Sequence, residues 1–222
     1  MGFAGTLDPL ATGLMIIGTD GSPRLFPMIE HFKKTYITTI RLDGTTDSYD
    51  LEQPITHIDV SVETQTKISK AFIEQIIREN FIGKIAQMPP NYSAIWIDGQ
   101  RAYDLARKGQ EMSIASKERE IDEFEIMEYS WPTIIARIVV SHGTYIRSLA
   151  RDLGEILGTG GYLEKLERTA IGHISLTDIR EWTVHNDILY APLKHEALFP
   201  EIPTLILTLE EKKHLRLGST PL

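Results

Sequence analysis

The sequence predicts an α+β protein in which a mixed, largely antiparallel sheet carries flanking helices. Segments with strand character outnumber the helical ones, and the helices fall between groups of strands without the strict alternation of α/β proteins. The chain has 222 residues, 42% of them apolar, so it can bury a sizeable core. We expect a large domain over residues 1–185 and a C-terminal extension over residues 186–222, because prolines at 192, 200, 203 and 221 interrupt the pattern.

Three elements are predicted before residue 43. Residues 14–17 form an apolar run between two glycines, which is typical of a short buried strand. Ser22 and Pro23 favour a helix start, so we expect a helix over residues 24–32. Residues 36–42 are rich in branched side chains and predict a strand.

The next part of the chain predicts two helices around a short strand. Residues 69–81 place apolar side chains on one face, and Ser69 can cap the start, so they predict an amphipathic helix. Residues 94–97 are strand-like and end at an Asp-Gly turn. Residues 100–108 then predict a short helix that ends before Gly109.

Strands dominate the pattern after residue 120. Residues 121–131 and 134–141 predict two strands, and the tight connection between them favours antiparallel pairing. Residues 144–157 repeat apolar side chains at helical spacing and predict a helix. Residues 162–174 favour strand over helix, and we expect an isolated strand over residues 205–209.

Composition limits the chemistry available to the chain. There is no cysteine, which excludes disulfides, thiolate catalysis and thiolate-bound metal. No apolar run approaches the roughly 20 residues that span a bilayer, so we expect a cytoplasmic protein without membrane association. The net charge of −8 argues against broad nonspecific binding to nucleic acid. Basic residues nevertheless cluster locally, for example at Arg107 and Lys108, and a local stripe can follow phosphates on an acidic protein.

One carboxylate stands out near the start of the chain. Residues 2–13 are GFAGTLDPLATG, in which Asp8 lies among glycines, threonines and Pro9. Glycine and proline favour a fixed, tight loop whose backbone can approach a ligand closely. Taken alone, the pattern favours Asp8 as the cap of a turn. The motifs of a nucleotide P-loop, a zinc-protease helix and a serine-hydrolase elbow are absent from the sequence.

Further motifs follow this loop in a fixed order. They are Lys34-Thr-Tyr36, Gln87 to Ala94, Arg101 to Gly109, Gly143-Thr-Tyr-Ile-Arg147, Asp152-Leu-Gly154, Gly160-Gly161 and Leu163 to Arg168. Together with the loop, over residues 2–180, they resemble the TruB family of tRNA pseudouridine synthases, whose loop is usually written GHAGTLDPLATG. The resemblance implies the pseudouridine synthase catalytic fold and an isomerase that uses no cofactor and no metal.

The resemblance also implies roles for three residues in converting a T-loop uridine of tRNA to pseudouridine. Asp8 is the implied catalytic carboxylate, acting either as nucleophile at the anomeric carbon or as base at the neighbouring carbon. Breaking a glycosidic bond builds positive charge that a carboxylate stabilises, and we expect Arg147 to pair with Asp8 and keep it ionised. Tyr36 is the implied residue that stacks on the extruded uracil, and its hydroxyl is a candidate for moving a proton at C5.

Five further positions are implied as substrate contacts. Tyr145 and Leu163 match positions that line the pocket, and Tyr103 and Arg107 fall in a segment expected near RNA. For the two tyrosines a packing role is an open alternative. Phe3 stands where most relatives have histidine, so it can stack in the gap left by a flipped base but its side chain cannot form a hydrogen bond. We expect a monomer that recognises the T-stem-loop mainly by shape and needs no protein partner.

Both ends of the sequence differ from the family pattern. Family members have a strand with a Lys-Pro-x-Gly motif before the loop, and a PUA-like RNA-binding domain often follows the catalytic domain. We therefore expect a fold truncated at both ends, with residues 186–222 as a partial PUA-like domain.

Two alternative functions are open. One is a noncatalytic RNA-binding or tRNA-folding module derived from this family, and the other is glycoside hydrolysis, which normally needs two facing acids.

Overall fold

A computed structural model describes residues 1–93, 95–97, 99–110, 114–177, 183–185, 188–202 and 208–216. The chain divides into two compact units, Met1–Asp178 and Ile179–Leu222. The first unit contains the main sheet and all eight residues to which the sequence analysis gives a role. The assignment of the C-terminal residues to a partial PUA-like domain stays a prediction, and the strand expected over residues 205–209 falls mostly outside the described residues.

The described residues form many short strands, a few long ones and mostly short helices. The strands are β1 (Gly2–Ala4), β2 (Ala11–Gly13), β3 (Ile16–Gly18), β4 (Lys34–Arg41), β5 (Gly44–Thr45), β6 (Thr56–His57), β7 (Gly83–Gln87), β8 (Trp96–Ile97), β9 (Gln100–Arg101), β10 (Lys117–Ser130), β11 (Thr133–Val140), β12 (Tyr162–Ile171), β13 (Ile174–Ser175), β14 (Thr183–His185) and β15 (Ile188–Tyr190). The helices are α1 (Phe26–Glu30), α2 (Val62–Lys67), α3 (Lys70–Asn80), α4 (Ala102–Arg107), α5 (Ile146–Leu157), α6 (His195–Leu198) and α7 (Leu209–Arg216). No helix in the described ranges is long and apolar enough to cross a membrane.

Seven of these strands form the main sheet. Their order is β13-β12-β4-β11-β10-β7, and β2 pairs with β12 beside this path. The neighbours along the path are antiparallel, whereas β2 runs parallel to β12. The predicted α+β class with a mixed, largely antiparallel sheet is therefore confirmed, and so is the antiparallel pairing of β10 with β11.

Helices α3 and α5 bury their apolar faces in the same core as the central strands. The side chain of Ser69 accepts a hydrogen bond from the Phe72 N–H at 3.2 Å, so this predicted cap is present. The core is built from branched and aromatic side chains of both helices and of the sheet, among them Ile73, Ile77, Ile134, Ile138, Leu149, Leu153 and Leu166. Because Leu149 and Leu153 anchor α5 in this core, the first turn of α5, which carries Arg147, is held in place.

Two predicted elements are divided in the structure. The helix expected over residues 24–32 is a 3-10 turn at Ser22–Leu25 followed by α1. Pro27 explains the break, because proline is tolerated in the first turn of a helix but not in its interior. The strand expected over residues 162–174 is divided into β12 and β13 by a turn at Gly172, whose φ is +58°.

Candidate active site

The Asp8 carboxylate and the Arg147 guanidinium form a bidentate ion pair. Arg147 Nε donates to Asp8 Oδ2 at 2.9 Å, and Nη2 donates to Oδ1 at 2.8 Å. The Arg147 side chain is 3% exposed, whereas that of Asp8 is 29% exposed. The predicted contact between these two residues is present, and the carboxylate keeps one side open for a substrate.

The remaining guanidinium nitrogen of Arg147 contacts a second acidic residue. Its Nη1 donates to the Ser48 carbonyl at 3.1 Å and lies 3.4 Å from Asp50 Oδ2. Asp50 is fully buried, and its Oδ1 accepts hydrogen bonds from Ser48 Oγ at 2.5 Å and from the Glu52 N–H at 2.9 Å. The guanidinium therefore lies between two carboxylates. Our sequence analysis did not single out Asp50.

Arg168 fixes the backbone of the loop that carries Asp8. This arginine is fully buried, and it donates to three carbonyls: from Nε to Leu14 at 2.7 Å, from Nη2 to Gly5 at 3.2 Å and from Nη1 to Thr6 at 3.3 Å. The Leu14 N–H in turn donates to the Arg168 carbonyl at 2.7 Å. The loop is therefore attached to β12 on both sides of Asp8. One feature of the sequence pointed to this role. Arg168 is the last residue of the segment from Leu163 that resembles the family.

Gly13 is required by this attachment. Its φ is +101°, and a Cβ at this position would lie 2.3 Å from the Arg168 carbonyl oxygen. Any larger residue would both strain the backbone and push β2 away from β12. The glycines of the loop thus allow the close approach of backbone segments, as the sequence suggested in general terms.

Tyr36 lies on β4 directly across from Arg168 and packs against the edge of the core. Burial raises the pKa of the Tyr36 hydroxyl above its ordinary value, the Arg168 guanidinium opposes that shift, and the Asp8 carboxylate adds to it. The phenol therefore stays protonated at neutral pH and lies within electrostatic reach of both Asp8 and Arg168.

Tyr145 immediately precedes α5 and is held by Gln87. The Tyr145 N–H donates to Gln87 Oε1 at 2.8 Å, and Gln87 Nε2 donates to the Tyr145 carbonyl at 3.0 Å. Burial raises the pKa of the Tyr145 hydroxyl, a contact with Ser93 opposes this, and Asp8 raises it further. Tyr145 is thus a second phenol in electrostatic reach of the carboxylate.

Leu163 is fully buried in the core, and its N–H donates to the Tyr49 carbonyl at 2.9 Å. Its predicted contact with substrate stays a prediction. Leu166 lies two residues before Arg168, so the two side chains share one face of β12. Leu166 is also the register partner of Ala11 in β2. Leu166 is therefore a further candidate for a residue that lines the site. Our sequence analysis did not single it out.

The predicted RNA-contact residues lie on two elements, Phe3 on β1 and Tyr103 with Arg107 on α4. The Arg107 guanidinium lies 4.4 Å from the Tyr103 ring centroid, and a cavity of about 430 Å³ beside them is lined by Trp96, Arg101, Arg107 and Lys108, among others. Phe3 is 55% exposed on β1. The described residues contain no cluster of three or more His, Asp or Glu side chains suited to a metal ion.

Glu52 connects the Arg107 segment to the Asp8 site electrostatically. Burial raises the pKa of Glu52, and Asp50 and Asp8 raise it further, whereas Arg147 and Arg107 oppose the shift. The pKa of Glu52 therefore depends on charges in both segments. Arg107, at the end of α4, and Asp8 thus lie within electrostatic range of the same side chain, whereas sequence reasoning placed the Arg107 segment only near RNA in general.

Comparisons with known proteins agree on one family. The model of the TruB family pseudouridylate synthase (N-terminal domain) matches residues 1–146. The chain is 46% identical over 178 residues to tRNA pseudouridine synthase B of Phocaeicola vulgatus, covering 80% of this chain and 74% of that protein. It is 44% identical over 194 residues to tRNA pseudouridine synthase B of Bacteroides fragilis, covering 85% and 81%.

Solved structures show the same fold. A Cbf5-Nop10-Gar1 complex contains a chain with a TM-score of 0.54 and 26% identity, and the match covers 80% of this chain and 44% of that one. An H/ACA RNP bound to a substrate RNA containing 2'-deoxyuridine gives a TM-score of 0.54 at 22% identity, covering 79% and 39%. The chain thus spans about two fifths of these solved chains.

Proposed function

The chain belongs to the TruB family of pseudouridylate synthases and is a tRNA pseudouridine synthase, and from this premise we propose that its target is the T-loop uridine at position 55 of tRNA. The observation that supports the reaction is the bidentate Asp8–Arg147 pair, which orients the carboxylate and leaves its side chain 29% exposed. The T-loop target itself is carried by the resemblance of the Asp8 loop and the ordered motifs. The aromatic hydroxyls of Tyr36 and Tyr145 lie within reach of its charge.

In the proposed reaction Asp8 acts at the ribose of an extruded uridine. The N-glycosidic bond breaks and leaves its electron pair on the uracil, while Asp8 either bonds to the positive anomeric carbon or takes a proton from the neighbouring carbon. The uracil turns and a bond forms between the anomeric carbon and C5, as Asp8 leaves the anomeric carbon or returns the proton. The proton on C5 is then released, and N1 gains a proton. Both routes for Asp8, nucleophile or base, are compatible with its open side. Tyr36 stacks on the uracil, and its hydroxyl is the candidate for carrying the C5 proton.

The remaining substrate contacts belong to the same proposal. Extruding a base requires groups that hold it outside the stack, and aromatic stacking contributes about 1–3 kcal/mol per base. Phe3, Tyr103 and Tyr145 supply exposed or half-buried rings, Arg107 supplies positive charge, and Leu163 supplies packing beneath the site. We further propose a cytoplasmic monomer that needs no protein partner.

Replacement of Asp8 by asparagine tests this function. Asp8→Asn keeps the shape of the side chain but removes the charge, so we expect no tritium release from C5-labelled uridine in a T-stem-loop RNA while RNA binding persists. Asp20→Asn is the matched control, because Asp20 lies in an exposed turn, and it should release tritium at the normal rate. Turnover by Asp8→Asn would contradict the assignment.

The wild-type chain decides between catalysis and its alternatives. Binding of the RNA without isomerisation would favour a noncatalytic RNA-binding or tRNA-folding module. Replacing the T-loop uridine by cytidine should abolish tritium release, since the proposed target is then missing. Release that continues from another labelled uridine would contradict the proposed target but not the enzymatic activity.

A further inference from the structure

The side-chain amide of Gln87 holds the backbone of Tyr145 on both sides of its Cα atom. Gln87 Oε1 accepts from the Tyr145 N–H at 2.8 Å, and Nε2 donates to the Tyr145 carbonyl at 3.0 Å. Gln87 is 1% exposed, so both hydrogen bonds lie away from solvent. Because the peptide groups before and after Tyr145 are planar, fixing both of them fixes the direction of its Cα–Cβ bond. The amide thus sets the direction in which the Tyr145 side chain leaves the backbone.

Tyr145 needs a partner from outside its own helix. It lies between Gly143, whose φ is +76°, and the first turn of α5. Its N–H precedes the hydrogen-bond ladder of the helix, and Gln87 satisfies this group. The Tyr145 side chain does not cap α5, so it is free to extend elsewhere. The position of this side chain therefore depends on Gln87.

Gln87 is itself attached to rigid elements. It is the last residue of β7 and the register partner of Lys117 on β10. The carbonyl of the next residue, Met88, accepts from Ser148 Oγ at 2.8 Å and from Arg151 Nη2 at 3.3 Å. Residues 87 and 88 are therefore fixed against both the sheet and α5, and Gln87 can hold Tyr145 in place relative to both.

Tyr145 and Arg147 are held by different groups. The Arg147 guanidinium has its own contacts with Asp8 and with the Ser48 carbonyl, whereas Tyr145 is held by Gln87. The Tyr145 side chain is half-buried, and the charges of Asp8 and Arg147 act on its hydroxyl. Loss of the Gln87 amide should thus displace the Tyr145 ring in the site while the Asp8–Arg147 pair persists.

We propose that Gln87 is a positioning residue of the reaction, which acts through the backbone of Tyr145 to direct the Tyr145 ring at the uracil of the target nucleotide. This inference rests on the proposed function. Both ends of the Gln87 amide are engaged by Tyr145, so Gln87 acts through that residue and not by contact with RNA. Displacement of a positioning group by about 1 Å can lower a rate about 100-fold. The alternative is that Gln87 only satisfies buried backbone groups and stabilises the fold.

Gln87→Met separates these two roles, because it keeps the length of the side chain and removes both hydrogen bonds. We expect kcat from tritium release to fall at least about tenfold, while the dissociation constant of the T-stem-loop RNA changes less than about threefold, since the other RNA contacts remain. A Gln87→Met protein that is less stable than the wild type but keeps kcat within about threefold would overturn the proposal.

Ser148→Ala is the matched control for this variant. It breaks a buried contact between α5 and the segment that begins at Gln87 without touching Tyr145. Both Ser148→Ala and Gln87→Met should lower the urea concentration at the midpoint of unfolding, because each leaves a buried group without its partner. Ser148→Ala should nevertheless keep kcat within about threefold. An equal fall in kcat for both variants would contradict a specific role for Gln87.

A double-mutant cycle tests whether Gln87 acts through Tyr145. Tyr145→Leu removes the ring that Gln87 directs, so adding Gln87→Met to it should lower kcat by less than about threefold. In the wild-type background the same change should lower kcat at least about tenfold. Effects that multiply would refute the route through Tyr145.

Gln87→Glu gives a pH-dependent readout and decides the matter if Gln87→Met does not fold. A protonated carboxyl offers the same donor and acceptor as the amide, whereas a carboxylate has no donor for the Tyr145 carbonyl. Burial raises the pKa of a carboxyl, so lowering the pH from about 8 to about 6 should bring kcat of Gln87→Glu, per folded protein, at least about threefold closer to wild type. A ratio of the two kcat values that does not change with pH would contradict the proposal.

The wild type is the reference for this pH series. Ionisable groups near the Gln87 amide and the Tyr145 side chain include those of Asp8, Lys117, Arg119, Tyr145, Arg147 and Arg151. The wild type and Gln87→Glu share these groups, so their titration cancels in the ratio. Absence of tritium release by the wild type from T-stem-loop RNA would contradict the proposed function, whereas wild-type turnover with full kcat in Gln87→Met would contradict this inference alone.

Discussion

Replacing Arg168 by methionine tests whether one buried guanidinium holds the loop that carries Asp8. The change removes hydrogen bonds to three carbonyls, one at 2.7 Å and two at 3.2 and 3.3 Å. Hydrogen bonds from charged donors contribute about 1.5–3 kcal/mol each, and the two longer ones count at the lower end. Methionine restores part of the packing. The sum is about 4.5–6 kcal/mol, and with part of the packing restored we expect a loss of about 4–6 kcal/mol in the free energy of unfolding.

The same change should reduce catalysis more than binding. Without Arg168 the backbone of residues 5–14 loses its attachment through that side chain to β12, and Asp8 is no longer held against its substrate. A misplacement of about 1 Å can lower a rate about 100-fold, so we expect kcat to fall by about that factor, with RNA affinity changed much less. Urea unfolding gives the stability, and tritium release from the T-stem-loop gives kcat.

Arg137→Met is the matched control for this prediction. Arg137 is 37% exposed on β11 and pairs with Glu123, so its loss should change stability by no more than about 0.5 kcal/mol and leave kcat unchanged. An Arg168→Met protein that unfolds within 1 kcal/mol of the wild type, or that keeps kcat within about threefold, would refute the reasoning.

Three further changes test the charges around the site. Arg147→Lys keeps the charge but not the two-pronged contact with Asp8, so kcat should fall about 100-fold in the tritium assay while the free energy of unfolding in urea changes less than for Arg168→Met. Asp50→Asn removes one of two countercharges of Arg147, which keeps its pair with Asp8, and urea unfolding should show a loss of about 1–3 kcal/mol; a change below about 0.5 kcal/mol would contradict this. Burial lowers the pKa of Lys34 in the folded chain to about 8, below its ordinary value of 10.5, so between these pH values the unfolded chain binds a proton that the folded chain has released. The free energy of unfolding of the wild type relative to Lys34→Met should therefore rise from pH 8 to pH 10, by up to about 1.4 kcal/mol per pH unit, and a flat difference in urea unfolding would contradict the burial of a cation there.

The contact between Asp8 and Arg147 could be predicted from the sequence, but the groups that support it could not. The pair emerged from ordered motifs that resemble one family. Asp50 and Arg168 are different, because the burial of a charged side chain leaves no local signature in composition or periodicity. Their contacts join positions far apart in the chain, such as Arg147 with Ser48 and Arg168 with Gly5. Only the fold brings these positions together.

Local sequence patterns predicted an element best where a capping residue and an apolar face indicated the same helix. The helix of residues 69–81 was predicted from a cap and an apolar face, and α3 has both. Strand β2 was not predicted, because three residues within a glycine-containing loop have no strand pattern. β2 forms because the backbone N–H and C=O groups of Arg168 and its neighbours on β12 pair with it. Tertiary pairing of this kind overrides local propensity.

The position of Arg147 between two carboxylates has a chemical consequence. A buried guanidinium is unfavourable without countercharge, and if Asp8 were the only partner, any loss of charge at Asp8 during the reaction would leave Arg147 uncompensated. Asp50, 3.4 Å from Nη1, maintains a negative neighbour throughout. Nε and Nη2 therefore orient Asp8 while Asp50 balances the charge. This arrangement suits a carboxylate that bonds to carbon or takes up a proton during turnover, and so it supports both proposed routes over a purely structural role for Asp8.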